Sequence, residues 1–205
     1  MPVDRIVATA LRIVDRKGAD ALSMRTLAQH LKSGTATLYR HFTSRADLIA
    51  HVIDRVLGEI ALDDDELASM TWQEATRAVA HAMFKALSRH KNVSPLLLGQ
   101  VPVGPNAMAN RERSLATLLR AGFPPALAAR VYTTVSRYVL GFAIQLDPSN
   151  RAGRPSAEVS AAFRDLDRSR FPAIIQVAGS LPVSLDEEFA FGLELLLEGL
   201  GHRRR

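Results

Sequence analysis

Residues 35–42 read TATLYRHF, and their side chains offer hydroxyls, a phenol, a guanidinium, an imidazole and a methyl, with no carboxylate. Leu38 and Phe42 stand four apart, the spacing of one helical face. At about 100° per residue, with Leu38 set inward, Phe42 falls on the same side at about 40°. Ala36 and Arg40 then point outward at about 160° and 200°, flanked by Tyr39 and Thr37 at about 100° and 260°. His41, near 300°, points partly inward. An outward methyl, guanidinium, phenol and hydroxyl suit base edges, thymine methyls and phosphates. A carboxylate on that face would be repelled by phosphates. Residues 21–46 carry Arg25, Lys32, Arg40, Arg45, His30 and His41 and no Asp or Glu, so part of the net charge of +5 is concentrated here.

Catalytic patterns are missing from the rest of the chain. No glycine-rich phosphate loop, HExxH or Gly-x-Ser-x-Gly occurs. His81 and His90 would lie about 180° apart on a helix and cannot share a metal. Without cysteine there is no disulfide and no thiolate ligand or nucleophile, which suits a reducing cytoplasm. No apolar run approaches the roughly 18 to 20 residues of a membrane span, and the N-terminus does not read as a secretory signal. The expectation is a cytoplasmic, non-enzymatic protein needing no metal or cofactor. The rival class is a helical small-molecule sensor or enzyme with no specific DNA role.

The elements that would position these groups are helices; no stretch reads as a strand. Val3, Ile6, Val7, Ala10 and Val14 make an amphipathic first helix ending at Lys17-Gly18. Ser23 can cap a short second helix bearing Leu27 and Leu31. A turn, Lys32-Ser33-Gly34, leads into about two turns over TATLYRHF, and Ser44 caps a fourth helix. Two short helices joined by a tight turn make a helix-turn-helix, whose second helix enters the major groove. Asp63, Asp64, Asp65 and Glu66 read as a solvated linker. Thr71–Glu74 and Ser184–Glu187 are capping-box patterns. Helices are expected over 72–89, 106–121, 125–146, 157–167, 171–178 and from 185 on. Residues 147–155 read as a loop, and the basic end at 202–205 complements the last helix's dipole. The fold expected is all-α, with a helix-turn-helix domain at 1–60 and a larger ligand-binding and dimerisation domain at 70–205.

The segment LSMRTLAQHLKSGTATLYRHFTSRADLI resembles the DNA-binding domain of the TetR family of transcriptional repressors, through Leu27-Ala28, Leu31, Thr37-Leu38-Tyr39, His41-Phe42 and Arg45. The resemblance implies phosphate contacts from Thr37, Tyr39 and Arg45. It implies base-edge contacts from Thr35, Ala36 and Arg40, with Arg25 reaching a base from the groove edge. The turn departs from the family's Gly-Val. Lys32 and Ser33 take those places, and lysine is penalised where φ is positive, so a reshaped turn is expected.

Trp72, Arg89-His90, Gly104-Pro105-Asn106, Gly122, Tyr138-Val139-Leu140-Gly141 and FAFGLELLLEGL are similar to the tetracycline-repressor-like C-terminal domain. That resemblance implies a homodimer and a small-molecule effector. The helix at 125–146 and the last helix are apolar over much of their circumference, with Leu193, Leu195, Leu196, Leu197 and Leu200 exceeding one core face. Candidate ligand contacts are Trp72, Phe84, Leu87, His90, Leu97, Met108, Leu119, Arg137, Tyr138 and Phe142. Leu97-Leu98 stand where tetracycline repressors place a metal-binding histidine, so a mainly apolar ligand is expected rather than a drug–magnesium complex. An Asp or Glu of the chain, or solvent, is the expected partner of Arg137. The function expected is a repressor bound to a near-palindromic operator on double-stranded DNA and released by its effector.

Overall fold

The computed structural model describes residues 1–146 and 157–203, with the side chains of His202 and Arg203 excepted. The loop expected at 147–155 and the basic side chains at 202–205 lie outside the described residues. The chain forms two compact units, one running from Met1 through the long helix that ends at Gln145, the other holding the last three α-helices.

The first unit opens with α1 (Val3–Lys17), α2 (Met24–His30), α3 (Thr35–Tyr39) and α4 (Arg45–Leu57). Ile6, Ala10 and Val14 of α1 are buried, as are Leu48, Val52 and Val56 of α4, and the two helices pack together. The capping residues act as their types require. Ser23 Oγ accepts from Thr26 N–H at 3.0 Å, and Ser44 Oγ from Asp47 N–H at 3.1 Å. Leu22 carbonyl accepts from Arg45 Nε at 2.6 Å and Ala19 carbonyl from Arg45 Nη2 at 2.8 Å, which ties the start of α4 to the α1–α2 connection.

The turn between α2 and α3 is a helix C-cap closed without a glycine. Ser33 N–H donates to Ala28 carbonyl at 3.0 Å and Lys32 N–H to Gln29 carbonyl at 3.1 Å, with Lys32 at φ 50°. This is the paired bonding of a Schellman cap, whose left-handed residue is usually glycine. Gly34, two residues on, has ordinary extended backbone and open space around it. The expected reshaping is therefore absent: the lysine adopts the left-handed conformation and the α3 start is kept.

The expected linker at residues 63–66 is instead helical. Asp63 caps α5 (Asp64–Ser69) by accepting from Asp65 and Glu66 N–H groups, and Asp64 pairs with Arg113. Acids in a first turn favour a helix over a solvated coil, because they offset its N-terminal dipole. Next come α6 (Trp72–Arg89), a 3₁₀ segment Ser94–Gly99, α7 (Pro105–Arg120) and α8 (Pro125–Gln145). Thr71 and Glu74 form the complete capping box of α6. At the end of α7, Gly122 at φ 84° closes a second Schellman cap, and Phe123 packs edge-on to Trp72 at 4.9 Å. Helices α6, α7 and α8 pack pairwise, and α4 packs on both α6 and α7.

The α4–α7 contact is built around a buried carboxylate. Asp54 accepts from Ala107 N–H at 2.9 Å and from Asn106 Nδ2 at 3.0 Å, so a side chain of α4 satisfies donors at the start of α7. A Cβ at Gly104 would collide with that carboxyl, and one at Gly58 with Asn106 Nδ2.

The second unit contains α9 (Ala157–Arg164), α10 (Pro172–Val177), a 3₁₀ turn Ala178–Ser180 and α11 (Leu185–Arg203). Ser184 and Glu187 bond reciprocally at the start of α11. Phe189, Leu193 and Leu197 are buried. Phe191 and Leu195, four apart on another face, are 69% and 54% exposed.

Candidate nucleic-acid interface and effector cavity

Leu38 and Phe42 fix α3 by burial: both are almost completely shielded from solvent. Phe42 N–H bonds to Leu38 carbonyl at 3.0 Å, which continues helical bonding past the last residue of α3. With that side inward, Thr35, Ala36, Tyr39, Arg40 and His41 are exposed and Thr37 is half-buried. Tyr39 is 55% exposed, a large apolar ring held open to solvent. Arg40 Nη2 lies 3.4 Å from Thr37 Oγ1, an intrahelical contact too long to hold the guanidinium against a stronger acceptor. The acid next along the chain, Asp47, is engaged: it accepts from Thr43 N–H at 2.8 Å and Thr43 Oγ1 at 3.1 Å. The face is therefore cationic, rich in donors and free of carboxylate, as phosphates and base edges demand.

The other candidate site is a cavity of about 840 Å³ among α4, α6, α7, α8 and the 3₁₀ segment. Its wall is largely apolar, with Leu57, Ile60, Val79, Met83, Leu97 and Leu140. The polar groups are Gln100, Asn110, Ser114, Tyr132, Thr133 and Ser136, and the charged ones are Arg111 and Arg137. A void of about 30 Å³ borders it, sharing Val79, Met83, Ser114, Tyr132 and Ser136. The large volume suits a drug-sized molecule. Leu57 belongs to α4, so one helix reaches both the cavity wall and the DNA-reading bundle.

Residues 6–52 match the bacterial regulatory proteins of the tetR family, and residues 65–204 match the tetracyclin repressor-like C-terminal domain. The chain belongs to the tetR family. As a tetR-family protein it is a DNA-binding transcriptional repressor regulated by small-molecule ligands. It is 27% identical to the HTH-type transcriptional repressor DrrR1 of Streptomyces coeruleorubidus, over 98% of this chain and 77% of that protein. It is 26% identical to the class E tetracycline repressor of Escherichia coli, over 97% of this chain and 90% of the repressor. Its fold superposes on Streptomyces coelicolor ActR in complex with (S)-DNPA with a TM-score of 0.86 and 33% identity, covering 98% of this chain and 96% of ActR. With ActR in complex with actinorhodin the TM-score is 0.85 at 31% identity, covering 100% of this chain and 98% of that one.

Within this tetR-family fold the residues singled out from sequence fall in several places. Arg25 is exposed on α2, on the helix-turn-helix. His41 is exposed, although the Phe42 N–H bond to the Leu38 carbonyl carries helical bonding past it. Two donor groups of Arg45 are spent on the Leu22 and Ala19 carbonyls, so the part expected to hold phosphate also serves as a clamp inside the bundle.

Of the ten ligand candidates, Leu97 and Arg137 lie on the cavity wall and eight do not. His90 is turned the other way: Nδ1 lies 3.0 Å from the Asp15 carboxylate and Nε2 lies 3.0 Å from Glu59. Its carboxylate partners hold it between α1 and the segment after α4. Trp72 is buried against Phe123, and Phe84 and Leu87 are buried core residues. Met108 and Leu119 are exposed, each one residue off an inward position of α7. Tyr138 and Phe142 pack on each other at 4.9 Å. On α8 the cavity instead takes Tyr132, Ser136, Leu140 and Ile144, a stripe four apart, with Thr133, Arg137 and Gly141 beside it. Tyr138 stands about 200° from Ser136 and cannot share that stripe.

Arg111 and Asp54 escaped the sequence reading. The signal for Arg111 was its spacing: Ala107, Arg111, Ser114 and Leu118 recur at three and four along the inward face of α7. Asp54 is an acid at an apolar-flanked position, Val52-Ile53-Asp54, and its N–H partners come from residues about fifty positions away, which no local pattern reveals.

Proposed function

We propose that the protein acts in the cytoplasm as a homodimeric repressor, catalysing no reaction, that holds a near-palindromic operator with two copies of α3 and is released by a small, mainly apolar effector. In this reading residues 1–60 carry DNA recognition, and residues 70–205 carry the effector cavity and the dimer contact. Thr35, Ala36 and Arg40 face base edges, Thr37, Tyr39 and Arg45 hold phosphates, Arg25 reaches a base from the groove edge, and His41 extends the contact. A two-fold dimer would set its reading helices about 34 to 36 Å apart, or a multiple of that. The exposed Phe191 and Leu195 of α11 support the dimer, since adjoining large apolar groups at such exposure favour burial against a second chain. No exposed large apolar residue lies on α8, so the support comes from α11 alone.

The observation that carries the reading is the acid-free, exposed face of α3 built on buried Leu38 and Phe42. Effector control is supported by the cavity and by likeness to ActR, which is bound in one structure to (S)-DNPA and in another to actinorhodin. The effector must favour the state that does not bind DNA, since only a difference in affinity shifts an equilibrium. Helix α4 is the physical link, through Leu57 at the cavity and Asp54 at the start of α7.

The test is selection of bound duplexes from a random library, followed by footprinting. Two inverted half-sites protected on one face of the duplex are expected. Recovery of unrelated sequences, or a single half-site protected by a monomer, would count against the reading.

A further inference from the structure

Two guanidiniums reach the cavity wall, and no Asp, Glu or Lys is among its lining residues. Arg111 is half-buried on α7. Its contacts are Tyr132 Oη at 3.3 Å, Pro102 carbonyl at 3.1 Å and Met108 Sδ at 2.9 Å, with the guanidinium 5.8 Å from the Tyr132 ring centre. These partners orient the group, and no carboxylate of the described residues compensates its charge. Arg137 stands more exposed on α8 beside Thr133 and Gly141, and no hydrogen bond or ion pair from the described residues engages it. Of the two partners expected for it from sequence, no Asp or Glu is found among the described residues, and its exposed side chain meets solvent. A half-buried cation such as Arg111 without a counterion among the described residues favours an anion entering the same low-dielectric space, and a second cation lining the same cavity adds to that preference.

We infer that the effector is an anionic amphiphile: an apolar or aromatic body packed on Val79, Met83, Leu97 and Leu140, carrying a carboxylate or similar monoanion met by Arg111 and Arg137. This rests on the reading of the cavity as the effector site and adds the sign of the ligand's charge. Cationic molecules of the same shape are rejected by the same two groups.

Two fluorescent probes with one aromatic skeleton test it: anilinonaphthalene sulfonate, which is anionic, and N-phenylnaphthylamine, which is neutral. Each is titrated into the full-length protein and into Arg137→Gln, Arg111→Gln and Ser136→Trp, with thermal melting to confirm folding. Because Arg111 also holds the Pro102 carbonyl, Arg137→Gln is the cleaner variant. The expected result is that Arg137→Gln weakens the sulfonate probe about tenfold, the scale of one lost charge-assisted contact, and leaves the neutral probe unchanged. Sulfonate affinity untouched by both arginine substitutions, or equal losses for both probes, would overturn the anion preference. Ser136→Trp tests the underlying cavity reading separately. It should expel both probes, and retention of both would remove the cavity as their site and the inference with it.

Discussion

Arg45 and Arg40 are both exposed arginines of the helix-turn-helix region, yet their surroundings assign them different work. Arg45 is held at both ends of its fork by carbonyls of the α1–α2 connection, whereas Arg40 has one long contact to a threonine. The first arrangement builds the bundle and the second leaves a donor free for a ligand. Arg45→Ala should therefore lower the stability of the DNA-binding region by about 1 to 2 kcal/mol, at the low end for charged hydrogen bonds because the group is partly solvated. Thermal melting reads this directly. Arg45→Lys should not rescue it, because one ammonium cannot span both carbonyls as the planar fork does. Full rescue by lysine would show that charge alone is what position 45 supplies.

At the scale of elements, the two Schellman caps form a natural comparison. Lys32 and Gly122 occupy the same left-handed position, at φ 50° and 84°, after α2 and α7. Open space surrounds the missing Cβ of Gly122, so backbone conformation alone separates the two cases. Lys32→Gly should raise stability by about 0.5 to 1 kcal/mol and Gly122→Lys should lower it by about 1 kcal/mol, both measured by denaturant unfolding. A shift in the same direction for both would contradict the account. The conflict at Lys32 was legible in the sequence, because the penalty is local. The helices were legible for the same reason: caps at Ser23, Ser44 and Thr71, and apolar periodicity, act within a few residues of chain. The cavity wall was far less so. Aromatic residues drew attention at Trp72, Tyr138 and Phe142, although which face a helix turns to a void depends on its neighbours. Residues 63–66 misled in another way, since a run of acids reads as solvated coil until Asp63 is seen capping α5 and Asp64 meeting Arg113.

For the molecule as a whole, DNA recognition and effector binding are joined by one helix. Helix α4 packs on α1 in the DNA-binding bundle, contributes Leu57 to the cavity and uses buried Asp54 to satisfy the start of α7. In the proposed mechanism, a shift in the packing of α7 or α8 around a ligand would reach the bundle through that contact. Dimerisation belongs to this scale too. Phe191→Glu combined with Leu195→Glu should yield monomers in analytical ultracentrifugation and, with one reading helix per particle, a large loss of operator affinity. A doubly substituted chain that stays dimeric would place the contact elsewhere. The central claim, that the outward face of α3 reads base edges, is tested most directly by Arg40→Ala. The quantity to measure is the ratio of affinities for the selected operator and a scrambled duplex, at one fixed salt concentration and without effector. The account predicts a ratio reduced by roughly tenfold to a hundredfold, about 1.4 to 2.7 kcal/mol for the dimer as a whole, while the affinity for the scrambled duplex changes far less. A ratio equal to that of the unsubstituted protein would contradict it.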